Sequence, residues 1–316
     1  LPQISQAKIA GSYRRGKEIV HDIDFIVATK SPIEVIDQFT KMVEVDEIIS
    51  KGKTKSSIRL NNGLQCDLRA VKSSEFPFAL SYFTGSKAHN IRMRSLAISN
   101  EYTLNEYALI QKNKNEQIPI QNETELYEKL GLTYIPPALR EGQGEIEASQ
   151  NSTLPNLVKI DNLKGTFHNH TTASDGRNSL EEMANAAKDL GLQYLGISDH
   201  SKSSVQANGL SADRLLNQID EVKKYNNNIE DNFKIFSGVE CDILKNGNLD
   251  YDDSILSQLD YSVASVHSSF SLTEKEMTKR VIKAIENPFV TMIGHLTGRL
   301  LLIRKPYDIN VSKIID

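Results

Sequence analysis

The stretch Gly11-Ser12-Tyr13-Arg14-Arg15-Gly16-Lys17-Glu18-Ile19-Val20-His21-Asp22-Ile23-Asp24-Phe25-Ile26-Val27 decides how the front of this chain is read. A glycine turn and two arginines lead to two aspartates, which open into an apolar, β-rich run from Ile23 to Val27. Asp22 and Asp24 are two apart on a strand, so both side chains leave the same face. Adjacent carboxylates repel unless a cation bridges them, and hard divalent ions with oxygen ligands do so. Gly11-Ser12, ahead of a helix-like segment, offers backbone N–H groups and a hydroxyl to phosphate oxygens, with Arg15 as counter-charge. An isolated Asp-x-Asp is more often surface or turn chemistry, so the case depends on a third carboxylate.

Working outward, Asp67 supplies one. Ser57-Ile58-Arg59-Leu60 and Leu64-Gln65-Cys66-Asp67-Leu68-Arg69 flank Asn61-Asn62-Gly63, a hairpin signal. If the return strand pairs beside Ile23–Val27, three carboxylates meet. That number holds two ions about 3.5–4 Å apart, the geometry that clamps the attacking and leaving oxygens of phosphoryl transfer. Ser31-Pro32-Ile33-Glu34 combines an N-cap, a first-turn proline and a capping-box glutamate, and predicts a helix toward Val45. From Phe76 to Asn100 the spacing is helical, with a break at Thr84-Gly85-Ser86. The front region is thus mixed α/β.

These residues resemble the palm of family X DNA polymerases, within the wider nucleotidyltransferase superfamily. The resemblance covers residues 11 to about 110. Gly11-Ser12-Tyr13-Arg14-Arg15-Gly16 followed by Asp22-Ile23-Asp24 is similar to the family's palm motif, and Tyr82-Phe83-Thr84-Gly85-Ser86 with Asn90 and Arg94 to its nucleotide-binding turn and thumb helix. It implies catalytic Asp22, Asp24 and Asp67 on Mg2+ or Mn2+, with Asp67 activating a primer 3′-hydroxyl. It further implies Gly11, Ser12 and Arg15 at a triphosphate, Tyr82, Phe83 and Gly85 around the sugar, Asn90 at the base and Arg94 near the template. Gln65 stands where vertebrate relatives carry a basic residue.

At 316 residues the chain is long for one core, so two domains are expected. It is 39% hydrophobic and 25% charged, with no apolar run of membrane-span length and no secretory leader pattern, which predicts a cytoplasmic protein without membrane association. Cys66 and Cys241 imply no disulfide framework. Residues 1–112 hold 16 Lys and Arg against 12 Asp and Glu, and the remainder 21 against 29. A mildly basic front suits a polyanion and an acidic rear suits cations. Residues 111–163 are polar and contain Pro119, Pro136, Pro137, Pro155 and Gly142-Gln143-Gly144, which reads as a linker with one short helix.

After Lys164 a rhythm sets in. Apolar strands end at His170, His200, Glu240, His267 and His295, and helices between them start at Ser179 with Glu182, at Ser211, and at Thr273 with Glu276. Strand, polar residue, helix is the grammar of a βα barrel, whose strand ends converge on one face. His168 and His170 share a strand face and Asp175 follows. For any single histidine a satisfied core or surface role is the better reading; His89 keeps it, and His21, next to Asp22, is expected only to flank the front site. The strand-end set recurs at βα spacing, and mixed imidazole and carboxylate ligands suit Zn2+, Mn2+ or Fe2+.

This rear region is similar to the PHP domain (polymerase and histidinol phosphatase), carried at the C-terminus by bacterial family X polymerases. The matching pieces are Phe167-His168-Asn169-His170-Thr171, Ser174-Asp175-Gly176, Ile197-Ser198-Asp199-His200, Gly238-Val239-Glu240, Ser265-Val266-His267-Ser268 and Ile293-Gly294-His295. The resemblance implies a distorted seven-stranded βα barrel with a trinuclear metal site in His168, His170, Asp175, His200, Glu240, His267 and His295. Asp199 is expected beside that site and not on a metal. Thr166 stands where the family often has aspartate.

The resulting expectation is an α+β nucleotidyltransferase palm at 1–75, a thumb at 76–112, a linker at 113–163 and a C-terminally incomplete PHP domain at 164–316. No helix-hairpin-helix segment precedes the palm within this sequence, and no Asp-Ala-His element follows His295, so the chain reads as a fragment cut at both ends. The implied activity is gap-filling DNA repair synthesis with 3′ exonuclease or end processing, on gapped or recessed DNA with deoxynucleoside triphosphates, by a monomer. Two other readings stand beside it: a phosphoesterase whose front half only binds DNA, and a non-catalytic fragment.

Overall fold

The computed structural model describes residues 3–228 and 232–316. They form two compact units, Leu1–Asn156 and Leu157–Asp316. The first begins with strand β1 (Ile4–Ile9), the single turn α1 (Gly11–Arg14), β2 (Asp22–Thr29) and α2 (Pro32–Phe39). It continues through β3 (Val45–Lys51), β4 (Lys55–Leu60) and β5 (Gln65–Val71). The sheet order is β1-β2-β5-β4-β3, with β2 and β5 parallel and the other pairs antiparallel.

Alternation along the two parallel strands sorts the sheet's faces. Val27, Cys66, Leu68 and Ala70 pack with Val35, Ile36 and Phe39 of α2. Ile26, Ala28 and Val71 face the other way, onto Phe76, Ala79 and Leu80 of α3 (Phe76–Thr84). Asp22, Asp24 and Asp67 have the same parity as this second set, so they emerge on the α3 side. The hairpin at Asn61-Asn62-Gly63 forms as expected, with Gly63 at φ +86° closing the turn. The helix expected from Ser31 toward Val45 stops at Phe39, and the Ser31 side chain caps nothing. Its N–H instead donates to Thr29 Oγ1 at 3.0 Å, which orients the entry to the helix locally.

The helical stretch breaks at the expected place: α3 ends at Thr84 and α4 (Lys87–Ser99) starts beyond a cis Gly85–Ser86 peptide. Then come β6 (Tyr102–Leu104), β7 (Leu109–Gln111), β8 (Glu116–Ile118), α5 (Glu123–Lys129) and α6 (Glu145–Gln150). Here the linker expectation for 113–163 is corrected. Strand β8 pairs with β7, and Leu126, Tyr127, Leu130, Leu132, Ile135 and Ile146 are buried in one core with Phe78, Met93, Ala97 and Leu109. Each such side chain contributes about 1.5–3 kcal/mol when taken from water, enough to hold a proline-rich path against the unit. The folded first unit therefore extends well past residue 112.

The second unit has β9 (Gly165–Asn169), α7 (Leu180–Asp189), β10 (Tyr194–Ile197), α8 (Ala212–Asn227), β11 (Lys234–Ser237) and β12 (Glu240–Asp242). It goes on with α9 (Asp253–Leu256), β13 (Val263–Ser265), α10 (Glu274–Ile285), β14 (Met292–Ile293) and α11 (Val311–Ile315). The expected helix starts hold: Ser179 with Glu182 and Thr273 with Glu276 form complete capping boxes, and Ser211 accepts from the Arg214 N–H. The strands are parallel throughout, ordered β11-β10-β9 and β12-β13-β14, and an isolated His200–Glu240 bridge joins the two sheets. Among the described residues this is six strands in two sheets, with no seventh strand.

Candidate active sites

In the first unit, β2 and β5 bring the aspartates side by side. Asp24 pairs in register with Asp67, and Asp22 with Gln65. Burial pushes the Asp24 carboxyl up to about 6, and the charges of Asp22 and Asp67 push the same way against Arg69 and Arg15. Three carboxylates on one pleated face, one of them reluctant to ionise, are a donor set completed by hard cations. Gly11 has φ +63°, and a Cβ there would collide with Asp24 Oδ2, so only glycine lets the α1 turn lie against that carboxylate.

A cavity of ≈ 340 Å³ opens at this point. Its walls are Gly11, Ser12 and Arg15 from the turn, Asp22 and Asp24 from β2, Tyr82, Phe83 and Gly85 from the end of α3, and Asn90 and Arg94 from α4. Every expected residue of the front site except Asp67 lines it, and Asp67 stands beside Asp24 on the neighbouring strand. Ser86 and Lys87 also line it; neither was expected at the site, although Ser86 closes the quoted turn and Lys87 follows it directly. The Asn90 amide donates to the Tyr82 carbonyl at 2.7 Å, and Tyr82 and Phe83 meet edge to face at 5.1 Å.

A buried polar network supports these walls. Arg14 donates to Thr84 Oγ1 (2.7 Å) and to Glu123 (2.6 Å). Glu123 also accepts from Arg140, which is fully buried and stacks over Tyr127 and Tyr134. Burial opposes ionisation of Glu123, but Arg140 and Arg14 outweigh it and hold the carboxyl below its ordinary value. His89 is fully buried between Glu145 and Tyr127, at 2.8 Å from each. Its core role matches the sequence reading. Arg15 is pinned by Glu141 (2.9 Å) and the Thr84 carbonyl. Glu123, Arg140 and Glu141 lie in or beside the supposed linker, which hid them.

In the second unit the strand ends converge on Glu240. Its carboxylate, buried at 1% exposure, has five imidazole nitrogens around it. They are His168 Nε2 at 3.0 Å, His170 Nε2 at 3.4 Å, His200 Nδ1 at 3.1 Å, His267 Nε2 at 3.2 Å and His295 Nε2 at 2.8 Å. Asp175 completes the ring beside His170 (3.3 Å) and His200 (3.6 Å). Burial would raise the Glu240 carboxyl, yet hydrogen bonds from His168, His267 and His295 hold it far below its ordinary range. Three overlapping sets, His168/His170/Glu240, His170/Asp175/His200 and His200/Glu240/His267, have ligand atoms within 4.8 Å of one another. All seven expected ligands meet here, although Glu240 opens a strand where the sequence reading had it close one.

The arrangement has the marks of metal ligation. His267 Nε2 and His295 Nε2 lie 3.3 Å apart and both face Glu240, so without a cation either both carry protons toward that carboxylate or a lone pair faces it. His170 Nδ1 and His200 Nδ1 are buried and accept or donate no hydrogen bond among the described residues. Buried nitrogens without hydrogen-bond geometry, His170 Nδ1 beside Asp175 and His200 Nδ1 beside Glu240, fit cations better than protons. Asp199 is not part of this ring. Fully buried, it accepts from Thr171 N–H (2.8 Å) and hydroxyl (2.7 Å), from both the N–H and the hydroxyl of Ser174, and from Gln218 (2.6 Å). It thereby holds the loop between His170 and Asp175. Asp242, bonded to His267, was not anticipated, because a carboxylate two past Glu240 reads as ordinary strand alternation.

Comparison with known proteins agrees with both halves. The DNA polymerase beta thumb family matches residues 79–141, and the PHP domain family residues 166–313. The chain is 41% identical over 309 residues, 97% of its length, to the DNA polymerase/3'-5' exonuclease PolX of Bacillus subtilis, and it spans 54% of that relative. It is 29% identical to a repair DNA polymerase X of African swine fever virus, over 41% of this chain and 78% of the viral one. A probable phosphatase of Caldicellulosiruptor saccharolyticus is 32% identical over 48% of this chain and 62% of its own. No helix among the described residues is long and apolar enough to cross a membrane. A DNA polymerase beta thumb match and a PHP domain match thus lie in one chain that is similar along 97% of its length to a DNA polymerase/3'-5' exonuclease PolX.

Proposed function

We propose that the first unit extends a primer 3′ end in gapped or recessed DNA from a deoxynucleoside triphosphate, and that the second hydrolyses phosphoesters at DNA ends as a 3′ exonuclease or end-processing site. The observation that carries this is the register of Asp24 with Asp67, with Asp22 on the same face, beside a cavity whose other walls are cationic and polar. In this reading Asp22, Asp24 and Asp67 hold Mg2+ or Mn2+, which supplies charge neutralisation to the attacking and leaving oxygens. Ser12 and Arg15 bind the triphosphate, with Arg15 already oriented by Glu141. Tyr82, Phe83 and Gly85 shape the sugar's place, Asn90 meets the base and Arg94 the template. Asp67 accepts the proton of the primer hydroxyl.

At the second site Glu240, His168, His170, Asp175, His200, His267 and His295 would hold divalent cations, which would supply an activated water and charge neutralisation for phosphoester hydrolysis. Zn2+, Mn2+ and Fe2+ all suit that imidazole-rich set. The chain works as a monomer in this reading.

A gap-filling assay on this chain, with Mg2+ or Mn2+, tests the first half: Asp22→Ala and Asp24→Ala should abolish incorporation. Unchanged incorporation in those variants overturns it. Release of nucleotides or phosphate from DNA 3′ ends, lost in Glu240→Gln, tests the second half.

A further inference from the structure

We propose that Asp242 is a positioning residue for the second site: it locks the His267 ring so that Nε2 is the nitrogen presented to the histidine cluster. This rests on the reading of that cluster as a metal centre. The two imidazole nitrogens of His267 have separate partners. Nε2 lies 3.2 Å from Glu240 and 3.3 Å from His295, while Nδ1 is bonded to the Asp242 carboxylate on the opposite edge. A carboxylate that accepts from Nδ1–H keeps the proton of the neutral ring on Nδ1, so a cation that replaces the Nε2 proton would meet a lone pair made a stronger donor.

Asp242 is itself held on every side. It is 6% exposed, Ser204 Oγ donates to its second oxygen at 2.9 Å, and its own N–H donates to Ser201 Oγ at 2.9 Å. Strand β12 presents Glu240 and Asp242 two residues apart, so one short strand carries both the central carboxylate and the group that aims a histidine at it. Ser201 and Ser204 both lie in the loop directly after His200. A shift in that loop would therefore disturb His200 directly and His267 through Asp242. Asp242 is absent from the three groupings that could hold an ion, since both of its oxygens point away from the cluster toward Nδ1 and Ser204.

The test uses the full chain titrated with ZnCl2 alone and with MnCl2 alone, against a competing chelating dye. Parallel ¹⁵N spectra of the histidine rings report which nitrogen carries the proton. Asp242→Ala should weaken ion binding about 10–100-fold and should convert His267 from a single Nδ1–H form to mixed tautomers. Asp242→Asn keeps the volume and one acceptor, so it should fold normally and lie between parent and Asp242→Ala in affinity. Parent affinity and a parent-like His267 spectrum in both variants would overturn the positioning role while leaving the metal centre intact. A parent chain that binds neither ion would overturn the metal reading, and this inference with it.

Discussion

Asp24 stands opposite Asp67 across β2 and β5, in parallel register, with Asp22 one pleat earlier on the same face. Two strands thus deliver three negative groups to one spot, and the Asp24 carboxyl is already pushed up to about 6 by burial and by its neighbours. Such a cluster stores repulsion that a cation relieves. In chelator, Asp24→Asn should therefore stabilise the protein near pH 7, by about 1 kcal/mol once solvent screening of a partly exposed group is allowed for. The same variant should lose primer extension. Thermal melts with and without Mn2+ check this: the parent should gain from Mn2+ and the variant should not.

Gly11 sets the distance between the α1 turn and Asp24, because its missing Cβ is where Asp24 Oδ2 lies. Gly11→Ala must also hold φ +63°, at a cost of about 1 kcal/mol. Displacing either the carboxylate or the turn by an ångström should lower incorporation about 10²-fold, with little change in phosphoester hydrolysis by the second unit. Steady-state extension and end-trimming assays on the same preparation separate the two effects. Equal losses in both would point to global unfolding instead.

The acid stability of the first unit should follow two buried groups. Burial lowers the His89 pKa, against the opposing hydrogen bond to Glu145, so the folded state favours neutral imidazole. Its contribution is complete above the unfolded value of 6.5 and is lost as pH falls from there toward the folded value. The depressed Glu123 carboxyl adds stability present above about 4.5 and lost as pH falls further. Melting midpoints should thus drop in two stages on acidification. His89→Gln, which cannot titrate, should flatten the first stage, which begins as pH falls below about 6.5.

Asp199 makes a different prediction, about order. It accepts from Thr171, Ser174 and Gln218, and it is fully buried, so Asp199→Ala would leave several donors without a partner. Each such donor costs about 1–3 kcal/mol. The variant should be destabilised by about 3 kcal/mol in denaturant titrations, and the freed 171–175 loop should release Asp175 from the cluster. Loss of metal affinity without loss of stability would contradict the hydrogen-bond account.

How much of this was written in the sequence differs between the two sites. Asp22, Asp24 and Asp67 were legible because strand parity and one hairpin fix their faces. The histidine ring was legible because successive βα units bring strand ends to one side. The support was not. Leu126, Leu130, Ile135 and Ile146 are spread thinly among prolines and charges, so no periodic stripe announces the core they form. Arg140 reads as a surface residue in any local window, and its burial follows only from Glu123 and two tyrosines that reach it through tertiary folding. Arg15, expected at a triphosphate, could not be seen to be held by Glu141, a residue 126 positions away.

The five imidazoles around Glu240 lead to the last prediction. Without cations, each imidazole nitrogen that faces this carboxylate must either carry a proton or face another lone pair, and the His267–His295 contact shows the conflict. Ions that bind the folded cluster and not the unfolded chain stabilise the fold by RT ln(1 + [L]/Kd), about 4 kcal/mol at a thousandfold excess over Kd. Zn2+ or Mn2+ should therefore raise the melting transition of the second unit by several degrees, with Zn2+ leaving that of the first nearly unchanged and Mn2+ raising it through Asp22, Asp24 and Asp67. Glu240→Gln removes the shared charge while keeping the size, so it should bind less metal by elemental analysis and lose most of that thermal gain. A second-unit transition that ignores both the ions and the substitution would mean that the histidines are held together by protons alone, and the phosphoesterase proposal would fall.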